Sequence, residues 1–313
     1  MAEIRPFPLT SAPIWRYKAG MIGLFDSGHG GLTVFRALTE RFPHIAFAYL
    51  GDHANAPYGN RSSDEIVALT ARGVEALFER GCRLVMLACN TATAVAGRRL
   101  QRDWLPASGW RGHNIIGIIA PTVEAATQTP WAVSAPQYPQ KYNTDTIAVF
   151  GTRRTIASGV FPEEIRKRCP KVTVVQQACP ELVAAIESGA PEAEMSTMIG
   201  GYVAEMLEGN GGHPPHRAIL GCTHFPLVEH LFKQYLPPFT RVLGQPEVVA
   251  DSMEDYLHRH PGYIGAPAAP GVPPMTLTTG DVARIEPTIA RFWAKHPAFA
   301  RLDERPVVAA ASA

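Results

Sequence analysis

Two thiols stand in matching places along this chain. The apolar run 84–88 delivers Cys89-Asn90-Thr91, and the run 217–221 delivers Cys222-Thr223-His224. In each, a sulfur leaves a strand-like segment where a helix begins. Free backbone N–H groups and the positive end of the helix dipole favour a thiolate there. Each also has hydroxyl or amide side chains beside it. Free cysteine is usually a small buried hydrophobe, so one such residue could simply pack in a sheet. Two with polar neighbours weaken that reading, and the repetition suggests two related domains facing each other across a cleft, one thiol from each.

A pair of this kind suits a proton transfer that inverts a stereocentre, which needs a base on one face of the carbon and an acid on the other. An ordinary thiol has a pKa of about 8.5, so thiolate and thiol can coexist near neutral pH as base and acid. An amino-acid α-proton is very weakly acidic, so preorganised donors must stabilise the carbanion-like transition state. Two other chemistries compete. The turn Asp26-Ser27-Gly28-His29-Gly30-Gly31 could cradle phosphate in a nucleotide-binding module, although it lacks both the P-loop lysine and the full G-x-G-x-x-G spacing. A cysteine hydrolase could use Cys222 with His224 as base, but would leave Cys89 in its mirrored turn without a task.

The elements that must position these residues alternate. Strands are expected at 21–25, 46–50, 84–88, 115–119, 146–150, 172–176, 218–220 and 241–243, with helices at 32–41 and 63–80, the latter capped by Ser62 or Ser63. This rhythm argues for a doubly wound α/β architecture with mainly parallel sheets, whose ligands sit beyond the carboxyl ends of the strands. Segments 129–145 and 262–274, rich in Pro and small or polar residues, and the tail 307–313 are expected to be weakly ordered.

At 313 residues, 46% hydrophobic and 18% charged, the chain is long enough for two globular domains. Its net charge of +1 includes no run of Lys and Arg suited to nucleic acid or an anionic membrane. No run of about 18 apolar residues could span a bilayer. Arg5, Arg16 and Lys18 precede no apolar stretch of signal-peptide type, so a cytoplasmic location is expected. The five cysteines, at 82, 89, 169, 179 and 222, form no C-x-x-C pair, which argues against structural zinc or a disulfide framework.

Four motifs in order identify a resemblance: Asp26-Ser27-Gly28 with Gly30-Gly31-Leu32; Gly51-Asp52 with Pro57-Tyr58-Gly59; Ala88-Cys89-Asn90-Thr91-Ala92; and Gly221-Cys222-Thr223-His224-Phe225-Pro226-Leu227. From about Gly20 to Trp293 the chain resembles the glutamate racemases of the aspartate/glutamate racemase superfamily. That resemblance implies that Cys89 takes the α-proton from D-glutamate and Cys222 from L-glutamate, with Asp26 and His224 assisting. It implies substrate contacts from Ser27, Tyr58, Gly59, Asn90, Thr91 and Thr223, and from Thr152 with Thr155 supporting its loop. Asp52 and Glu187 match further acidic positions near the site.

From the residues alone, Asp26 could be a helix N-cap, His224 a structural hydrogen-bonder and Thr152 a cap. Cys82, Cys169 and Cys179 have no matching role. The resemblance further implies no metal, pyridoxal phosphate or nicotinamide cofactor, a homodimer, and a product that feeds peptidoglycan synthesis. The domains would be 20–116 with 252–313 and 117–251, after an N-terminal extension 1–19. Ala120, Phe161, Gln245 and the 129–145 insertion depart from the family's usual pattern. A racemase acting on another substrate, such as aspartate or a hydantoin, is the nearest rival.

Overall fold

The structure, a computed structural model, describes residues 20–303 apart from 131, 132, 134, 137, 139–144 and 266–272. The extension 1–19 and the tail 307–313 lie outside the described residues, as does most of 129–145 and of 262–274.

Among the described residues, ten strands form two sheets. The first contains β1 (Met21–Asp26), β2 (Phe47–Gly51), β3 (Cys82–Leu87), β4 (Asn114–Gly117), β9 (Met275–Thr278) and β10 (Ala300–Arg301), in the order β10-β9-β2-β1-β3-β4. The second contains β5 (Thr146–Gly151), β6 (Thr173–Ala178), β7 (Arg217–Gly221) and β8 (Arg241–Leu243), in the order β6-β5-β7-β8. Every pairing among them is parallel. The chain is thus a doubly wound α/β protein of two similar domains.

The likeness of the two units lies in their topology. The run β2-β1-β3-β4 in one sheet has the same layout as β6-β5-β7-β8 in the other. In each, the chain moves from its first strand to one neighbour and then crosses to the opposite side, which opens a crevice at the carboxyl ends. The strand across that switch is β3 in one sheet and β7 in the other, and these are the strands that lead to Cys89 and Cys222.

Local sequence explains the helices that flank the site. Ser62 caps the helix Ser63–Glu79 with a full capping box: its hydroxyl accepts from the Glu65 N–H, and the Glu65 carboxylate accepts from the Ser62 N–H. Such a cap contributes about 1 kcal/mol. The helix Gln245–Arg259 buries Val249, Met253 and Leu257 in the core shared with Leu32, Phe35 and Leu38 of the helix Leu32–Arg41. Arg41 adds exposed ion pairs to Asp251 and Glu254 at 2.8 and 3.0 Å, which count for little beside the apolar packing.

Strands β9 and β10 were not expected from the sequence. The first is four residues long and alternates Thr with Met and Leu; the second is a two-residue bridge. Neither carries a hydrophobic run long enough to read as a strand; β9 forms by adding to the edge that β2 presents, and β10 by adding to β9. Phe161, one of the departures, is fully buried with Ile147, Val149 and Ile219 in the core of the second sheet. Among the described residues, no helix is long and apolar enough to cross a membrane.

Candidate active site

Beyond β3, Cys89 is the first cap of the short helix Asn90–Ala92, and its sulfur accepts from the Ala92 N–H at 3.4 Å. The Ser27 hydroxyl lies 3.3 Å from the same sulfur. Burial and the negative charge of Asp26 push the Cys89 thiol up to about 12, although Ser27 and the Ala92 N–H favour the thiolate. A charge on Cys222 also raises it, so the two sulfurs share one electrostatic neighbourhood. Each cysteine is only 6% exposed.

Asp26 ends β1 and is fully buried. Its Oδ1 accepts from the Gly28 N–H at 2.8 Å, closing the turn on itself, while Oδ2 has no partner among the described residues. It is not a helix cap, since Gly31 holds the N-cap position of the next helix and no side chain caps it. Burial raises the Asp26 carboxyl, partly offset by the attraction of His224. The turn itself is tied down by Tyr49, whose hydroxyl donates to the Gly28 carbonyl at 2.7 Å.

Beyond β7, Cys222, Thr223 and His224 lead into a short 3-10 turn, Phe225–Val228, where the sequence had suggested an α-helix start. The His224 ring joins two partners: Nδ1 lies 3.7 Å from the Cys222 sulfur and Nε2 lies 2.8 Å from Glu187 Oε1. Burial alone would push its imidazolium down. The bonds to Cys222 and Glu187 outweigh that and push His224 up to about 10. Glu187 is likewise penalised by burial, yet donors from His224 and His29 hold it well below the usual carboxylate range. The backbone of the Gly30 turn sits against this pair: a Cβ at Gly30 would lie 2.3 Å from Thr223 Oγ1 and 2.4 Å from His224 Nδ1, so only glycine fits. The Thr33 hydroxyl donates across to the Thr223 carbonyl at 3.1 Å.

This pairing makes stability depend on pH in a defined window. Above the ordinary histidine value of 6.5, the unfolded chain loses a proton that folded His224 keeps up to about 10, so stability falls as pH rises through that interval. Glu187 acts at the other end, contributing stability above its ordinary 4.5 that disappears in more acid solution. Urea unfolding followed from pH 6 to 10 should therefore show a falling midpoint, with a shallower fall in Glu187→Gln. An unchanged slope in that variant would assign the alkaline loss to other groups.

The remaining expected residues fall into two clusters. Thr91, Thr152 and Thr155 share a triangle of hydroxyls, with Oγ1 separations of 3.1, 3.2 and 3.1 Å, which joins the first unit to the second. Thr152 also caps the helix Arg153–Ala157, accepting from the Thr155 N–H at 3.3 Å. Gly59 packs against it, since a Cβ there would lie 3.6 Å from Thr152 Cβ. In the second cluster, Asp52 accepts from Tyr58 Oη at 2.7 Å, Asn55 at 2.9 Å and Thr279 at 2.7 Å. The Tyr58 hydroxyl is thus turned to Asp52, and both burial and that carboxylate raise it far above the usual tyrosine range.

Three site contacts were not foreseen from the sequence. The Asn90 amide is tied to Gln245 by two buried bonds, at 2.6 and 3.0 Å, and Gln245 also donates to Thr122 at 2.9 Å. A departure from the family pattern thus braces the residue next to Cys89. His29, in the first turn, reaches Glu187 Oε1 at 3.1 Å. His53 packs edge-on to His29 with ring centroids 4.4 Å apart, and burial pushes its imidazolium down to about 3. Cys82, Cys169 and Cys179 are buried free thiols. A cavity of about 840 Å³ opens elsewhere, beside β4, with Ala120, Arg98, Glu124 and Tyr256 in its wall; neither Cys89 nor Cys222 lines it.

No protein-family model matches the chain. Among curated proteins, it is 48% identical over 276 residues to glutamate racemase of Phenylobacterium zucineum, covering 87% of this chain and 96% of that one. It is 46% identical over 278 residues to glutamate racemase of a Caulobacter species, with the same coverage. Among solved structures, glutamate racemase isoform RacE1 from Bacillus anthracis matches with a TM-score of 0.77 and 27% identity, over 92% of this chain and 98% of that chain. Glutamate racemase from Francisella tularensis, solved with D-glutamate, matches in fold with a TM-score of 0.74 at 22% identity, over 91% and 98%. Identity at this level across nearly the whole of both chains, on a shared two-domain α/β fold, makes this chain an amino-acid racemase, an isomerase belonging to the glutamate racemase family.

Proposed function

We propose that the chain interconverts L- and D-glutamate by two proton transfers on opposite faces of Cα, one through Cys89 and one through Cys222. The observation that carries this reading is the pair of buried thiols, each at the end of a topologically equivalent strand and each beside its own acid-base partner. Cys89, pushed up to about 12, rests as a thiol and is the acid. Cys222, whose sulfur lies 3.7 Å from His224 Nδ1, is the base.

Starting from L-glutamate, the Cα–H bond breaks and its proton forms an S–H bond on Cys222. The electron pair left on Cα then takes the Cys89 proton on the other face, giving D-glutamate and a Cys89 thiolate. Starting from D-glutamate, the same steps run in reverse. Asp26, buried with one oxygen that has no partner among the described residues, serves the Cys89 half as a proton holder, and His224 with Glu187 serves the other. Ser27, Tyr58-Gly59, Asn90, Thr91, Thr152 and Thr223 supply the donors that orient the amino acid, with Thr155 and Asp52 supporting them. The hydroxyl triangle then exchanges its internal bonds for bonds to substrate.

The division into 20–116 with 252–313 and 117–251 belongs to this proposal. What supports it is that β5 to β8 all fall within 117–251; the boundary at 116 cuts β4 before Gly117, and position 252 falls within the helix Gln245–Arg259 that packs on the first unit. Production of D-glutamate for peptidoglycan, in the cytoplasm, follows from the same reading.

The test is α-proton loss in deuterium oxide, followed by NMR for L-glutamate and L-aspartate separately. Exchange and racemisation of glutamate, with little for aspartate, are expected, because side-chain length sets where the second carboxylate sits. Turnover of aspartate without glutamate would replace this substrate with the shorter one.

A further inference from the structure

One carboxylate oxygen on the Cys222 side carries two imidazoles. Glu187 Oε1 lies 2.8 Å from His224 Nε2 and 3.1 Å from His29 Nδ1, and these two rings are the donors to that carboxylate among the described residues. Glu187 and His224 come from the second unit, whereas His29 comes from the turn after β1 in the first, 158 positions from Glu187. The bond therefore crosses the cleft.

The His29 ring has little freedom. It is 9% exposed, stacks on Phe292 with centroids 5.9 Å apart and 23° between planes, and meets the His53 edge. Its Nε2 is buried with no partner among the described residues. A buried N–H without an acceptor costs more than a bare lone pair, so the ring carries its proton on Nδ1, where Glu187 accepts it. The Glu187 side chain, by contrast, is 30% exposed and could turn to water.

We propose that His29 is a positioning residue for the Cys222 half of the reaction: from the opposite unit it holds the Glu187 carboxylate against His224 when the cleft is closed. The inference rests on the reading of Cys222 and His224 given above. His29 touches neither sulfur. It acts by keeping in place the carboxylate that retains the His224 proton. The other titratable groups facing this dyad are Asp26, Tyr49 and His53 from the first unit and Cys222 from the second. Arg291 donates to the Glu187 backbone carbonyl at 2.6 Å, not to its carboxylate.

The test compares His29→Val, which removes the donor, with His29→Asn, whose amide N–H can replace Nδ1. His29→Phe, which keeps the ring stack without the donor, stands in if the valine variant does not fold. Two readouts apply to the full chain: kcat/KM for glutamate against pH, and the titration of His224 by NMR of protein labelled with 15N-histidine. His29→Val should lose about tenfold in kcat/KM and shift both the alkaline limb and the His224 midpoint down by about one pH unit, the scale of one lost charge-assisted bond. His29→Asn should recover both.

Wild-type behaviour in His29→Val, equal losses in the valine and asparagine variants, or an alkaline limb that does not move would overturn the proposal. Cys222→Ala serves as the separate control. Full activity in that variant defeats the underlying two-thiol reading, whatever His29 does.

Discussion

Replacing Cys222 or Cys89 with alanine is expected to lower racemisation in both directions by at least about 1,000-fold, since each removes the sole proton carrier on one face. The two directions cannot respond differently in kcat/KM. Enantiomers have the same free energy in water, so their equilibrium constant is one, and any variant must change both values of kcat/KM by the same factor. What can differ is exchange of the α-proton with solvent. Cys89→Ala keeps the Cys222–His224 pair and should wash deuterium into L-glutamate faster than into D-glutamate, without inversion. Cys222→Ala should show the opposite preference. Racemisation within tenfold of the unaltered protein in either variant would eliminate the two-base scheme, and circular dichroism would show that the variants are folded.

The second large effect concerns Asp26. Its Oδ1 closes a turn on the Gly28 N–H, and its Oδ2 is buried with no partner among the described residues. Asparagine preserves the first contact and the volume but cannot carry the proton. Asp26→Asn should lose about 100-fold in kcat/KM, the range for one acid-base group, while stability stays the same or rises because a buried carboxyl has been removed. Without the nearby negative charge, the Cys89 thiol should also titrate at lower pH, which is the direction its causes dictate. Activity within threefold of the unaltered protein would reduce Asp26 to a turn-former.

How far the molecule could be read from its sequence depended on the range of the signal. The strands leading to Cys89 and Cys222 are continuous apolar runs bounded by polar turns, and their pairing as equivalent elements was visible because the pattern recurs. The Ser62 and Thr152 caps follow from contacts three residues long. Gln245 and His29 gave no such signal. Their partners, Asn90 and Glu187, are 155 and 158 positions away, and nothing local marks a glutamine at a helix start or a histidine among glycines as a bridge. Likewise, β9 follows a Pro/Gly-rich stretch and owes its conformation to the edge of β2. The departures Ala120 and Phe161 proved to lie in a cavity wall and in a core.

The central claim is one of geometry, and a crystal structure of the chain with D-glutamate bound tests it most directly. The account predicts the amino acid in the closed cleft, its Cα between the sulfurs of Cys89 and Cys222 on opposite faces, each within about 4 Å, as proton transfer requires. Glutamate seated instead in the cavity beside β4, or with both sulfurs on one face of Cα, would contradict it.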